Sequence, residues 1–284
     1  THCLPPAAPR IIAWAVGRLG MKAVEFVGVD LWQWFFLVVY WELANQTARV
    51  FCRRSSYSAI RATGSTFICS TINAIACTAY GGYLTWVFMG LSDESRAHFD
   101  PDDPGQWASL LVKAAAYRFL AWLTMDFVHC FEKYPKTVGL DALAHHGGFI
   151  LLTALQMSWD LMPVVAAWLL LGELSTIALN VRWFLISCGK GDSHALFLTN
   201  TAFALSFFVV RILIYWLGVL HIGVRMLPLL FAPPYNAPAV PVYILVVAIF
   251  SAGLLNLWWM YKIFRMAAGA GKHTAPADAP VKKE

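Results

Sequence analysis

Apolar stretches of about 20 residues recur along this chain, and short polar segments separate them. A transmembrane α-helix needs about 20 consecutive apolar residues to cross the hydrocarbon core of a bilayer. Because 59% of the residues are hydrophobic and 13% are charged, one soluble domain could not keep so much apolar surface out of water. The sequence therefore predicts an all-α fold, a polytopic transmembrane helical bundle.

The polar breaks between these stretches predict seven spans, with boundaries uncertain by about 2 to 4 residues. The fourth and fifth spans almost abut around Pro163, a residue that suits the first turn of a helix. A re-entrant segment is the alternative there. Upstream of the first span, residues 10–22 have the pattern of an interfacial amphipathic helix. The predicted spans cover residues 26–44, 66–90, 107–130, 144–160, 161–186, 195–220 and 241–264.

Basic residues are unevenly distributed between the loops on the two sides of the predicted bundle. Arg49, Arg53 and Arg54 cluster in a loop on one side, whereas the acidic segment 92–103 lies on the other. Loops rich in Lys and Arg stay on the cytoplasmic or matrix side. This distribution supports an odd number of spans, with the C-terminus on the cytosolic or matrix side. The net charge of +5 reflects this topology and contact with anionic headgroups, and it gives no reason to expect nucleic acid as a partner.

The segment 173–185 places polar side chains inside an otherwise apolar stretch. On a helix Glu173, Thr176 and Asn180 lie on one face, and Arg182 lies on the adjacent face. Polar groups at membrane depth normally face a bundle interior or a cavity. We therefore predict an internal stripe that meets a lipid headgroup, an acyl carbonyl or water in an elongated cavity. Hydrogen bonding between neighbouring helices is the alternative.

Arg211 lies in the middle of the sixth predicted span, where an unpaired cation is costly. A guanidinium remains charged in essentially any protein environment. We expect Arg211 to pair with a carboxylate or amide on another span, with Glu173, Asp160 and Asp126 as candidates.

The six cysteines contain no C-x-x-C pair, so the sequence predicts neither a disulfide framework nor a zinc site. His145, His146 and Asp126 are weak candidates for metal ligation, because adjacent histidines on a helix diverge by about 100°. No metal and no cofactor is predicted.

Five separated pieces of the sequence are weak motifs singly but specific as an ordered set. They are Ser70-Thr-Ile-Asn-Ala-Ile75, Ala121-Trp-Leu-Thr-Met-Asp126, His145-His146, Glu173-Leu-Ser-Thr-Ile-Ala-Leu-Asn-Val-Arg-Trp-Phe184 and Phe207-Phe-Val-Val-Arg-Ile212. Between residues 57 and 265 the chain resembles the TLC-domain membrane proteins, which include ceramide synthases and smaller TLC-domain-containing proteins. The fourth piece is most similar to the smaller proteins.

The resemblance implies six helices around a central cavity, preceded here by one extra span, and a role with lipids or fatty acyl chains. Ceramide synthases transfer an acyl group from coenzyme A to a sphingoid base. By this resemblance His145 and His146 would be catalytic and Asp126 their acidic partner, since imidazole can act as a general base or an acyl acceptor. Structural roles are the alternatives: the histidines as interfacial residues, and Asp126 in an ion pair with His129 or Lys133.

Two departures from ceramide synthases weaken the catalytic interpretation. After Arg182 the chain lacks their H-D-x-x-D element and offers Asp192 and His194 in a changed arrangement. Asn73 stands where many relatives carry His. The sequence therefore favours a non-catalytic lipid-binding protein that influences membrane lipid composition. The candidate lipid-binding residues are Glu173, Thr176, Asn180, Arg182, Arg211 and Asn73.

Two other functions stay open. One is a ceramide-synthase-like N-acyltransferase with acyl-CoA as substrate, and the other is an accessory structural subunit of a large organellar membrane complex. The expected ligands are membrane lipids or fatty acyl chains. The expected location is the endoplasmic reticulum or a related endomembrane. The mitochondrial inner membrane is the alternative, for which an import leader removed before Thr1 would account. The predicted regions are an N-terminal helix, first span and basic loop (1–56), a TLC domain (57–266) and a flexible tail (267–284).

Overall fold

The computed structural model describes residues 25–26, 29–97, 106–136, 138–233 and 235–267. The predicted amphipathic helix at 10–22 and nearly all of the predicted tail lie outside this part of the chain. The described residues are almost entirely helical. In chain order the elements are β1 (Glu25–Phe26), β2 (Val29–Asp30), α1 (Leu31–Cys52), α2 (Ser58–Met89), α3 (Asp93–Ala97), α4 (Gln106–Lys133), α5 (Leu140–Ser158), α6 (Pro163–Leu171), α7 (Leu174–Ser187), α8 (His194–Phe207), the π-helical segment π1 (Phe208–Ile214), α9 (Tyr215–His221), the π-helical segment π2 (Ile222–Met226), α10 (Leu227–Phe231) and α11 (Ala239–Ala267).

Three helical stretches within the described residues are long and apolar enough to cross a membrane. They are Pro163–Ser187, His194–Phe231 and Ala239–Met266. The other long helices carry more polar and charged side chains; α4, for example, contains Lys113, Arg118 and Asp126. These features indicate an integral membrane protein.

The first predicted span is shifted in the structure. It was expected at 26–44, but α1 runs from Leu31 to Cys52 because β1 and β2 form a small antiparallel hairpin before it. The side chain of Asp30 then caps the helix and accepts the backbone N–H of Trp32 at 2.9 Å. The helix continues past residue 44 because its later turns also pack, with Asn45 completely buried.

The break between the fourth and fifth predicted spans is present. Helix α5 ends at Ser158, and α6 begins at Pro163 after Met162, which adopts a left-handed backbone conformation with φ of 48°. The predicted fifth span is interrupted once more, at Gly172 and Glu173, before α7 begins. This second break brings the polar side chains of α7 to the start of a new helix.

The sixth predicted span is longer than expected. It was placed at 195–220, but one continuous helix runs from His194 to Phe231. Two π-helical segments interrupt its α-helical geometry. Segments of this kind add a residue to a turn and often occur at functional sites; the first of them contains Arg211.

Helix α2 packs against α1, α4, α6 and α7. Its contact with α6 is very close at Gly81, where a Cβ atom would lie 2.8 Å from the carbonyl oxygen of Ala167. Without a side chain at Gly81 the two backbones can approach, as small residues permit in membrane helices. This approach holds α6 against the bundle.

Contacts between other helices complete the packing. Helix α4 contacts α5, α5 contacts α11, and α11 contacts π1. Helix α8 contacts α7, and α2 contacts both α7 and α4. Side chains from all of these segments line one interior cavity, to which α1 contributes none.

Candidate functional site

The cavity that these segments line has a volume of about 450 Å³. Its wall combines aromatic and aliphatic side chains with polar groups from several helices. Apolar lining residues include Phe119, Leu123, Phe149, Leu169, Leu179, Phe203, Phe207 and Ile263, and polar ones include Ser70, Asp126, His145, His146, Gln156, Glu173, Ser175, Thr176, Asn180, Arg182, Arg211, Asn256 and Lys262.

Arg211 forms the first polar centre of the cavity wall. Its Nη2 atom donates to Glu173 Oε1 at 3.1 Å and approaches Thr176 Oγ1 at 3.4 Å. Its Nε atom donates to Ser175 Oγ at 3.0 Å. The predicted ion pair of Arg211 with a carboxylate on another helix is thus confirmed, with Glu173 as the partner. The side chains of Arg211 and Glu173 are each 12% exposed, so the charges compensate one another inside the bundle.

Asn180 and Arg182 connect α7 to its two neighbours. Asn180 Nδ2 donates to Ser70 Oγ at 3.0 Å and to Thr71 Oγ1 at 3.1 Å, which joins α7 to α2. Arg182 Nε donates to Asn200 Oδ1 at 2.9 Å, which joins α7 to α8. Both side chains line the cavity while making contacts between helices. Among the residues the structure describes, Arg182 has no carboxylate partner.

Asp126 and His146 form the second polar centre. Asp126 Oδ2 lies 3.3 Å from His146 Nδ1, and each side chain is 16% exposed. The sequence had left open an ion pair of Asp126 with His129, but that interpretation is wrong. His129 instead contacts Glu42 Oε2 on α1 at 3.0 Å.

His145 lies beside this centre among aromatic rings. Its ring centroid is 4.7 Å from that of Phe149 and 4.9 Å from that of Trp259. Adjacent positions on α5 therefore differ: the imidazole of His146 meets a carboxylate, whereas that of His145 meets apolar rings. Both residues line the cavity.

The exposed lining residues are Leu179, Lys262 and Met266. Lys262 Nζ lies 3.5 Å from Asp141 Oδ2, which joins the C-terminal part of α11 to the first turn of α5. These positions place the most accessible part of the cavity wall near the end of α11 and on α7. Cationic Arg182 and Lys262 both belong to that wall.

Asn73 is separate from the other proposed site residues. It is fully buried on α2, and its Oδ1 atom accepts from Cys77 Sγ at 3.4 Å. Its Nδ2 atom has no hydrogen-bond partner within the described part of the chain. Asn73 is not among the lining residues, although Ser70, one turn earlier on α2, is.

Sequence reasoning missed several contributors to the cavity. Gln156 and Asn256 are buried polar residues in apolar helices, a pattern that could have identified them. Cys130 was not among the predicted site residues. Its Sγ atom lies 3.8 Å from Asp126 Oδ2 and 3.9 Å from His146 Nδ1, close enough for the three side chains to share a metal ion. Their i, i+4 spacing on α4 was the available signal for Asp126 and Cys130.

Comparison of the sequence with known proteins identifies the family to which the chain belongs. Residues 65–265 match the family model of the TLC domain. TLC domain-containing protein 4-B of Danio rerio is 24% identical over 201 residues, which cover 69% of this chain and 70% of the zebrafish protein. Membership of this family indicates a membrane protein with a lipid-related function. The match extends from α2 to the end of α11 and includes every helix that lines the cavity, so the chain belongs to the TLC-domain family of membrane proteins.

Proposed function

We propose that this protein binds a membrane lipid or a fatty acyl chain in the cavity and thereby influences the lipid composition of its membrane. The observation that carries this proposal is the combination of two polar centres with an apolar wall around one interior space. Ligand cavities are typically about 300 to 1,000 Å³, mostly apolar, and carry a few convergent polar groups. The 450 Å³ cavity lies within that range.

The apolar wall supports an acyl chain as the buried part of the ligand. Phe119, Leu123, Phe149 and Phe207 contribute rings and branched chains from three different helices. A hydrocarbon chain would pack against this wall by van der Waals contact, as helices do inside a membrane, without needing a polar partner along its length.

The polar groups support a headgroup that is anionic or rich in oxygen. Arg211 is neutralised by Glu173, whereas Arg182 reaches a neutral amide. Lys262 adds a second cation near the exposed part of the wall, and its contact with Asp141 is long at 3.5 Å. A carboxylate or phosphate at this position would gain charge-assisted hydrogen bonds from Arg182 and Lys262.

Seven spans are part of this proposal. Helices α2, α4, α5, α6 with α7, α8 to α10, and α11 would surround the lipid, and α1 would cross the membrane outside them. The basic termini of α1, α4 and α11 support a cytosolic or matrix location for the C-terminus. The lipid would then enter near the inner leaflet, where Arg182 and Lys262 lie.

Lipid extraction and mass spectrometry of the purified protein test the proposal. We expect a lipid to co-purify, and Ala142→Phe to reduce its amount because Ala142 lines the cavity. Ala144→Phe is the matched control, since Ala144 is exposed two residues away on the same helix and does not line the cavity. Equal lipid content in both variants and the parent, or none in the parent, would refute the proposal.

One observation favours a second candidate function, acyl transfer. The contact of His146 Nδ1 with Asp126 leaves Nε2 of the same ring available as a nucleophile. Nε2 would attack the carbonyl carbon of an acyl-CoA thioester and expel the coenzyme A thiolate. An amine would then take the acyl group from the imidazole.

This second function predicts an acyl adduct on His146 after incubation with acyl-CoA, detectable by peptide mass spectrometry. His146→Ala should abolish the adduct. His194→Ala is the control, because His194 is exposed at the start of α8 and does not line the cavity. A protein that retains lipid but never becomes acylated would leave lipid binding as the function and exclude acyl transfer through His146.

A further inference from the structure

Three side chains of different chemistry converge at the second polar centre. Asp126 and Cys130 lie one turn apart on α4, and His146 reaches them from α5. Their potential ligand atoms are separated by 3.3 Å (nitrogen to oxygen), 3.8 Å (sulfur to oxygen) and 3.9 Å (sulfur to nitrogen). Each of the three residues is partly buried.

These separations are close to those around a tetrahedral zinc ion. Zinc binds Cys sulfur at about 2.3 Å, His nitrogen at about 2.0 to 2.1 Å and carboxylate oxygen at about 2.0 to 2.2 Å. At tetrahedral angles those bond lengths separate nitrogen from oxygen by about 3.3 Å, and sulfur from either atom by about 3.6 Å. The arrangement of Asp126, Cys130 and His146 therefore needs only a few tenths of an ångström of movement to hold the ion.

The donor types point to zinc rather than to a hard cation. Calcium and magnesium take oxygen ligands and leave thiols unused. A set of one thiolate, one imidazole and one carboxylate is typical of zinc and of related transition-metal ions. Two of the donors are fixed by helical i, i+4 spacing and the third by the packing of α5 on α4, so the bundle itself brings them together.

We propose that Asp126, Cys130 and His146 form a zinc-binding site in the wall of the cavity. Three protein ligands leave a fourth position open, as in zinc sites that bind water or substrate. Asp126 and His146 line the cavity, so the fourth ligand would be water or an oxygen atom of the bound lipid. The ion would add positive charge to the cavity wall that also carries Arg182 and Lys262, and it would occupy the Nδ1 atom that otherwise meets Asp126.

Metal analysis of the full-length protein tests this proposal independently of lipid binding. The protein should be purified from membranes in detergent through an affinity tag that contains no histidine. We expect about one zinc per chain by inductively coupled plasma mass spectrometry, as a single three-residue site requires. After chelation, cobalt(II) should restore about one metal per chain and give the visible bands of a tetrahedral site together with a thiolate-to-cobalt charge-transfer band.

Variants locate the site. Cys130→Ser should remove the charge-transfer band, and Asp126→Asn should lower the zinc content. Cys188→Ser is the control, because Cys188 lies outside the three-residue group. Cys3→Ser belongs in the same series, since a thiol beside His2 could bind cobalt by itself. Parent protein without zinc and without a thiolate band would overturn the proposal, as would a band that survives in Cys130→Ser.

The two proposals can fail separately. A protein that retains lipid and lacks zinc would refute the metal site and leave the lipid site standing. A protein that holds zinc through Cys130 but retains no lipid would do the reverse. Zinc bound through His146 would also argue against acyl transfer by an Asp126-oriented imidazole, because the ion would take the place of that contact.

Discussion

The ion pair of Arg211 with Glu173 should couple the stability of π1 to that of α7. Arg211→Leu removes the guanidinium and leaves the Glu173 carboxylate, 12% exposed, without its cation. Breaking a buried ion pair from one side typically costs about 3 to 5 kcal/mol. Because both side chains keep some exposure, we expect the lower end, about 3 kcal/mol, which is about a 150-fold change in the unfolding equilibrium.

The double variant Arg211→Leu with Glu173→Leu separates pairing from packing. It removes both charges, so its cost should be about 1 kcal/mol or less, well below that of Arg211→Leu alone. Glu173 precedes α7 but makes no capping hydrogen bond with its side chain, so its replacement removes no helix cap. The difference between single and double variants therefore measures the stranded carboxylate.

The folded fraction is measured by circular dichroism in mixed micelles as the SDS mole fraction is increased. Arg265→Leu is a control, because Arg265 is an exposed cation at the end of α11. This variant should unfold at the same SDS mole fraction as the parent. A single variant as stable as the parent, or a double variant no better than the single one, would show that the ion pair does not hold these helices together.

Three further predictions follow from other parts of the fold. Gly81→Ala should lower the thermal stability of the purified protein because a Cβ would meet the backbone of α6, whereas Gly82→Ala, which meets only a flexible side chain, should match or exceed the parent. Asn45-Gln-Thr47 is an N-glycosylation acceptor sequence, and it should carry no glycan in cells because the Asn45 side chain is fully buried. A glycan found there by mass spectrometry would contradict both this burial and the proposed topology. Burial raises the pKa of Asp93, but the guanidinium of Arg225, 2.7 Å away, holds it below its ordinary value overall. The stabilising effect of this carboxylate is therefore complete above about pH 4 and is lost as the pH falls through the lower folded-state pKa, so thermal melts of the parent and Asp93→Asn should differ at pH 6 and converge only once the pH falls below that folded-state pKa.

The sequence predicts the helical class of the fold because membrane burial imposes a length and a polarity on each span. It also identifies Pro163 as a helix start and a carboxylate as the partner of Arg211, since both follow from local chemistry. The choice of Glu173 over Asp126 does not follow, because it depends on which helices become neighbours.

The errors in the first predicted span and in the predicted site residues also have physical causes. The apolar pattern ends the first span at residue 44, yet α1 continues to Cys52 because Asn45 and Trp41 are buried by tertiary contacts that no local pattern records. Cys130 was not predicted as a site residue for the same reason. Its proximity to His146 arises from the packing of α5 on α4, whereas the sequence spacing shows only two of the three residues, Asp126 and Cys130.

The first π-helical segment, π1, changes the rotation of the long helix, so that the side chains after π1 point in directions different from those that an uninterrupted α-helix would give them. Arg211, within π1, pairs with Glu173 beside α7, and Tyr215, just after π1, lines the same cavity and donates to the carbonyl oxygen of Ile249 on α11 at 2.7 Å. Deletion of one residue between them would restore ordinary α-helical turns and rotate everything downstream by about 100°. Backbone hydrogen bonding would survive, but Tyr215 would turn away from α11. One inserted residue therefore lets a single continuous helix contact α7 through Arg211 and α11 through Tyr215.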